Sequence, residues 1–218
     1  MTDKEAFAYM REKLYTGVVC DVMDEMGYRN QAMSTRIRPL QEDAVIAGRA
    51  KTILAVDIYE VLNEPYKGEI EALDSILEDE VPVVCTNNSQ NNGIWGELLS
   101  TAAYMRGATG AIIDGLCRDT KMIRKMGFPL FAAGYKPLDS AGRGQVINYD
   151  CPVVAGDIRV EPGDVVFADF DGVVIIPRGI FEEVLERAIK KSNMENRTRD
   201  DLLKGDLFKD VYARYGVL

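Results

Sequence analysis

The sequence predicts a single α/β domain, and three observations carry that prediction. The chain has 218 residues, enough for one ordinary domain with its own core. Between Val81 and Ala132, apolar runs of strand length alternate with helical stretches as strand–helix–strand–helix–strand, the pattern of βαβ units with parallel strands. Apolar residues make up 47% and charged residues 28%, an ordinary globular composition. No internal repeat, low-complexity tract or linker interrupts it.

In chain order, residues 3–14 predict an amphipathic helix, and Val18 to Met26 a second, stopped by Gly27. Ile46 to Val56 reads as a strand, Glu69 to Glu78 as a helix, and Val81 to Thr86 as an apolar strand. The polar loop Asn87 to Asn92 leads through Gly93-Ile94-Trp95-Gly96-Glu97 into a helix to about Arg106. Gly107 and Gly110 end it. Ala111 to Asp114 reads as a short buried strand, and Gly115-Leu116-Cys117 as a tight loop. Arg118-Asp119-Thr120 opens a helix to Met126, and Phe128 to Ala132 is the next strand. From Gly142 to Pro177, short β-rich runs punctuated by Gly, Pro and Asp predict a second layer or a barrel-like closure. Residues 179–191 predict a helix, followed by a charged helical tail to Leu218.

The net charge of −9 gives no footprint for a phosphate backbone, so no nucleic-acid partner is expected. No run of about 18 apolar residues occurs, so neither is a membrane span. The N-terminal stretch is charged and lacks an apolar signal core, which predicts a cytoplasmic location. Cys20, Cys85, Cys117 and Cys151 lie far apart and read as reduced, mostly buried thiols. The chain has no histidine, which removes Ser-His-Asp and Cys-His catalysis and His-ligated zinc or iron. Acid–base work falls to carboxylates, Lys, Tyr, Cys or water. A metal would need oxygen ligands, which favours Mg²⁺ or Mn²⁺.

Right-handed βαβ units present the carboxyl ends of their strands at one sheet edge, where ligands bind. Glu97 at the start of one helix and Arg118 and Asp119 just after the next strand therefore converge there. The helix start offers free N–H groups to an anion, and Arg118 a fork for a carboxylate. The plainer alternatives are a favourable first-turn charge for Glu97 and a capping ion pair for Arg118–Asp119.

GIWGELLSTAAYMRGATGAIIDGLCRDT closely resembles a family signature: an acidic residue, twenty residues, then Arg-Asp. Here these are Glu97, Leu98 to Cys117, and Arg118-Asp119, flanked by Trp95-Gly96 and Asp114-Gly115. VEPGDVVFADFDGVVIIP (Val160 to Pro177) and Gly48-Arg49-Ala50 agree. The sequence resembles the family of the RraA-like proteins and the 4-hydroxy-4-methyl-2-oxoglutarate (4-carboxy-4-hydroxy-2-oxoadipate) aldolases, over roughly residues 15–215. The resemblance implies one RraA-like domain over residues 1–218, a compact α/β/β/α sandwich related to swivelling phosphohistidine-type domains. It implies homotrimers or dimers of trimers with sites at subunit interfaces. It further implies a divalent-metal-dependent lyase that cleaves or decarboxylates a small 2-oxo acid via a pyruvate enolate, as an oxaloacetate decarboxylase also does. In that picture Asp119 binds Mg²⁺ or Mn²⁺, and Arg118 holds substrate and faces the enolate. Glu97 and a neighbouring subunit's Glu195 act through water, and Gly96, Leu98 and Leu99 line the substrate. The characterised aldolases usually carry Asp at the first acidic position, and Glu97 is one methylene longer.

Other features read as structural: Asp169 and Asp171 as a turn, Asp21 as a cap, and Gly142-Arg143-Gly144 as a loop turn rather than an anion nest. Cys117 reads as a spectator, and nothing marks Lys51 or Lys121 as a Schiff-base lysine. The main rival is a non-catalytic regulator that binds and inhibits a ribonuclease, because such family members keep the same signature. A methyltransferase is rejected for want of a Gly-rich adenosylmethionine loop.

Overall fold

The computed structural model describes residues 1–217. Helices α1 (Asp3–Lys13) and α2 (Thr16–Glu25) open the chain. A reciprocal cap starts α1: the Glu5 amide donates to the Thr2 hydroxyl, and the Thr2 amide to Glu5. Then come β1 (Arg38–Pro39), β2 (Ile46–Asp57), α3 (Lys67–Asp74), β3 (Glu80–Cys85), β4 (Gly93–Trp95), α4 (Glu97–Met105), β5 (Ala111–Cys117), α5 (Thr120–Met126) and β6 (Leu130–Tyr135). The second half holds β7 (Gly144–Tyr149), β8 (Val153–Ala155), β9 (Ile158–Val160), β10 (Val165–Asp169), β11 (Gly172–Ile176), α6 (Phe181–Leu203) and α7 (Phe208–Tyr215).

Nine strands form one sheet along the order β1-β6-β5-β3-β2-β10-β11, with β4 beside β5 and β7 beside β2; β8 and β9 pair separately. The expected parallel unit is present, since β2, β3, β5 and β6 pair in parallel. The later β-rich run largely joins this same sheet. Twelve-residue β2 takes β10 antiparallel over Ile46–Arg49 and β7 antiparallel over Ile53–Asp57, with a register shift at Leu54/Ala55 inside the second pairing.

Period-2 alternation sorts the side chains into three cores. On the helix side of the parallel strands, Val84, Ile113 and Leu130 pack with Ala72 and Leu73 of α3, Ala103 of α4 and Ile123 of α5. Their neighbours Val83, Ile112 and Phe131 face a central core shared with Val166 and Ile175 and with the β8–β9 hairpin. Val165, Phe167, Val174 and Ile176 point the other way, against α1, α2 and α6. The layers are thus helix, sheet, sheet, helix, with one continuous sheet supplying both inner layers. Fully burying side chains such as Phe128, Phe131 and Phe167 contributes roughly 1.5–3 kcal/mol each.

Several boundaries move. Gly115, Leu116 and Cys117 extend β5 instead of forming a loop, because β4 pairs with Leu116 and Cys117 on one side and β6 on the other. The helix expected at Glu69 starts two residues earlier and stops at Asp74, and the last long helix runs on to Leu203. No helix among the described residues is long and apolar enough to cross a membrane.

Candidate active site

Strand β4 sets the site. After β3 the chain loops out through the polar Asn87–Asn92 segment and returns beside the last residues of β5. There the Arg118 amide donates to the Trp95 carbonyl at 2.8 Å. The Trp95 indole N–H donates to the Ser100 hydroxyl at 2.8 Å, which donates to the Gly96 carbonyl at 3.0 Å. Both bonds are buried, so they fix the entry angle of α4. Gly96 caps that helix without a side chain. A Cβ there would meet Asp119 Oδ2 at 2.7 Å and Arg118 at 3.3 Å, so only glycine lets the two segments approach this closely.

Asp119 caps α5 from the left-handed region at φ 57°, ψ 27°, which few residues other than glycine, asparagine and aspartate adopt readily. That backbone turns its carboxylate toward α4, where the Glu97 amide donates to Asp119 Oδ2 at 3.3 Å. The next two amides, of Leu98 and Leu99, lie in the first helical turn and have no intrahelical acceptor. Arg118 lies between two carboxylates, Nε 3.6 Å from Asp119 Oδ2 and Nη2 3.2 Å from Asp139 Oδ1. The Tyr66 hydroxyl also donates to Asp139. Burial raises the Asp139 pKa, but Tyr66, Arg118 and the Ser140 and Ala141 amides outweigh it and hold the group below its ordinary value.

These groups line one cleft of about 330 Å³, with Gly93, Gly96, Arg118, Asp119, Asp139 and Ser140 around its polar part. Ile70, Ile94, Leu98 and Leu99 form its apolar wall, and Tyr66 and Glu69 of the α3 segment close it. Glu69 is 5% exposed, and its Oε1 has no hydrogen-bond partner. Burial is the main cause that pushes its pKa up to about 7; Asp139 adds to the rise, while Ser140 and Arg118 oppose it.

The structure thus brings Gly96, Leu98, Leu99, Arg118 and Asp119 together at the carboxyl edge of the parallel strands. Glu97 is adjacent but does not line the cleft; the Thr101 hydroxyl donates to its carboxylate at 2.9 Å. Glu195 lies on α6, in the opposite helical layer, and accepts a hydrogen bond from Tyr15. Among the described residues no three His, Cys, Asp or Glu side chains converge to hold a metal ion. Among the described residues that line the cleft, the carboxylates are Glu69, Asp119 and Asp139, and Asp139 is already engaged by Tyr66 and Arg118.

The other features are structural by their contacts, but Asp21 is not a cap, because it lies inside α2. Asp169 accepts from the Asp171 amide and from the amide and hydroxyl of Thr16, closing a hairpin and capping α2. Asp21 pairs with Lys191 at 3.2 Å, and buried Lys51 with Asp150 at 2.7 Å. Gly142-Arg143-Gly144 is a turn closed by amides donating to the Ser140 carbonyl. Cys117 is buried, which pushes its thiol up to about 12.

Sequence reasoning missed Asp139, Tyr66 and Glu69. Two signals were present. Asp139 follows β6, the last of the four parallel strands, at the same carboxyl edge. Glu69 shares the i, i+3, i+4, i+7 stripe with Ala72, Leu73 and Ile76, a carboxylate where a core residue belongs.

A family model described as RraA-like, Aldolase/RraA, matches residues 16–175. The chain is 28% identical over 176 residues to a Halalkalibacterium halodurans protein named as a candidate 4-hydroxy-4-methyl-2-oxoglutarate aldolase, covering 81% of this chain and 79% of that one. It spans only 32% of the length of the Legionella pneumophila protein DlpA, to which 90% of it aligns. A solved structure described as novel cellulases from microbes of the gut ecosystem superposes with TM-score 0.84 at 32% identity, over 90% of this chain and 88% of that one. Streptomyces coelicolor RraAS2, described as an unusual member of the RNase ES inhibitor RraA family, superposes with TM-score 0.81 at 25% identity, over 92% of this chain and 100% of that one. With 16–175 matched by the family model and the layered sheet shared with these structures, the chain belongs to the RraA-like, Aldolase/RraA family.

Proposed function

We propose that the Arg118–Asp119 cleft is the active site of a divalent-metal-dependent lyase that cleaves or decarboxylates a small 2-oxo acid through a pyruvate enolate. The observation that carries this reading is the convergence of Arg118, Asp119 and the α4 N-terminus on one cleft at the carboxyl edge of the sheet.

The donor set fits Mg²⁺ or Mn²⁺. It is all oxygen, the chain has no histidine, and the half-exposed Asp119 carboxylate has two long contacts, both at Oδ2, from the Glu97 amide at 3.3 Å and Arg118 Nε at 3.6 Å. Such hard cations settle for one or two carboxylates and keep several waters. Asp119 would hold the ion directly, with Glu97 and Glu195 of a neighbouring copy acting through water. When bound, the ion supplies Lewis-acid polarisation of the substrate's keto oxygen.

The chain's own residues do the rest. Arg118, oriented by Asp139, grips the 2-oxo acid's carboxylate and faces the oxygen on which negative charge develops. The Leu98 and Leu99 amides orient the same anion, with Gly96 permitting its close approach. Buried Ile94 and half-buried Leu99 give the enolate an apolar wall.

Glu195 supports a homotrimer or dimer of trimers as the working unit. It lies on α6, which packs on α2 and α7, so only another copy would bring it to this cleft. The four-layer stacking supports kinship with swivelling phosphohistidine-type domains, and the scattered unpaired thiols support a cytoplasmic location.

The test is oxaloacetate decarboxylation and cleavage of 4-hydroxy-2-oxo diacids with Mg²⁺ or Mn²⁺, with and without chelator. Metal-dependent pyruvate release is expected, and its absence on every substrate would overturn the lyase. A second reading, a regulator that binds and inhibits a ribonuclease, is favoured by the likeness to RraAS2. It predicts a stable complex with an endoribonuclease and slower RNA cleavage, neither altered by chelator.

A further inference from the structure

Lyase chemistry in this cleft needs a proton carrier. Cleaving a 4-hydroxy-2-oxo acid removes a proton from the hydroxyl, and the enolate left behind takes one at C3. The chain has no histidine. Arg118 stays charged. Cys117 is buried, with its thiol pushed up to about 12. Asp139 is tied to Tyr66 and Arg118 and held below its ordinary value.

Glu69 is different. It lines the cleft beside Tyr66, Ile70, Asp139 and Ser140, is 5% exposed, and leaves Oε1 without a partner. An unsatisfied buried carboxyl costs stability. Its position on the stripe with Ala72, Leu73 and Ile76 would suit an apolar side chain better. The charged and polar groups acting on it are Asp139, Ser140 and Arg118. Of the elements packed on α3, β7 adds only Tyr149, and α4 adds Glu97 and Tyr104.

We propose that Glu69 is the acid–base group of this cleft, a role that rests on the lyase reading. Its carboxylate takes the proton of the substrate's 4-hydroxyl as the C3–C4 bond breaks. The oxygen's electron pair makes C4 a carbonyl, and the C3–C4 pair passes into the enolate. The carboxylic acid then gives the proton to C3, so pyruvate leaves and Glu69 returns to its starting state. Burial supports this role: with its pKa pushed up to about 7, both forms are populated at neutral pH, where a shuttle works best.

Run backwards from pyruvate, the same shuttle exchanges methyl protons with solvent. The experiment follows deuterium uptake into pyruvate by proton NMR in deuterated buffer with Mg²⁺, for wild type, Arg118→Ala and Glu69→Gln. Wild type is expected to exchange, with the rate rising through about pH 7 as Glu69 ionises. Glu69→Gln should lose at least about 100-fold in exchange. It should lose that pH limb too, while binding pyruvate within roughly threefold of wild type. In metal-free protein, infrared spectra should show a protonated-carboxyl band that disappears near pH 7 and is missing from Glu69→Gln. Exchange by Glu69→Gln at a near wild-type rate overturns the assignment. So does an equal loss of exchange and binding with the pH limb intact, which would mark a structural role. No exchange by wild type would overturn the lyase reading, and this assignment with it.

Discussion

Glu69 makes a stability prediction that needs no substrate. In the unfolded chain it ionises at its ordinary value of 4.5, whereas in the folded chain burial raises it to about 7. Between those values the folded state holds the extra proton, so stability falls as pH rises through this window and levels off above it. At roughly 1.4 kcal/mol per pH unit the gap is worth about 3 kcal/mol. Glu69→Gln cannot titrate and should lack this slope. Its buried amide carries its own cost at every pH, so the slope and not the level is the signal. Other carboxyls with displaced values, such as Glu80, Asp139 and Glu195, remain in both proteins and cancel in the difference. Urea unfolding of both proteins from pH 5 to 8 should show the variant gaining on wild type steadily as pH rises. The matching shift in melting temperature is roughly 6–12 °C for a chain of this size. Parallel curves across that range would refute the idea that Glu69 is buried and proton-bound.

Three further outcomes test the cleft. Arg118→Ala and Asp119→Ala should each cut turnover by about 10²-fold or more while circular dichroism is unchanged, because both side chains sit on a partly exposed loop; wild-type-like turnover in either would sink the site. Gly96→Ala, whose added Cβ would stand 2.7 Å from Asp119 Oδ2, should weaken Mg²⁺ binding by calorimetry at least about tenfold without unfolding the chain, since its φ of −136° suits alanine. Cys117, buried and with its thiol pushed up to about 12, should resist iodoacetamide at pH 8 in the native protein and react after unfolding, as mass spectrometry would show.

Much of this architecture was legible because local rules and the global fold agree. Val81–Cys85 and Ala111–Ile113 are apolar on both faces, as strands buried between two layers must be, and the glycines at 107 and 127 stop helices in left-handed geometry. What escaped depends on partners far along the chain. Gly115-Leu116-Cys117 looks like a turn in isolation and is a strand only because β4 and β6 flank it. The β-rich run after Gly142 did not disclose that β10 and β7 pair with successive stretches of β2, since that pairing joins segments about a hundred residues apart in the chain.

The site divides along the same line. Glu97, Arg118 and Asp119 were found because one spacing ties them to a single sheet edge. Within one chain, however, Glu97 turns along its helix to Thr101 and leaves the cleft wall to residues from two other segments. Asp139 holds the guanidinium of Arg118, so in the proposed lyase a substrate carboxylate would meet an arginine already oriented. Glu69 adds, among the described residues, a buried carboxyl without an ion-pair partner and with Oε1 unsatisfied. An acid on a core-facing stripe opposes the burial that folds its helix, and here it does so at the wall of a cleft. That conflict between local sequence and packing is what the proposed acid–base role of Glu69 would account for.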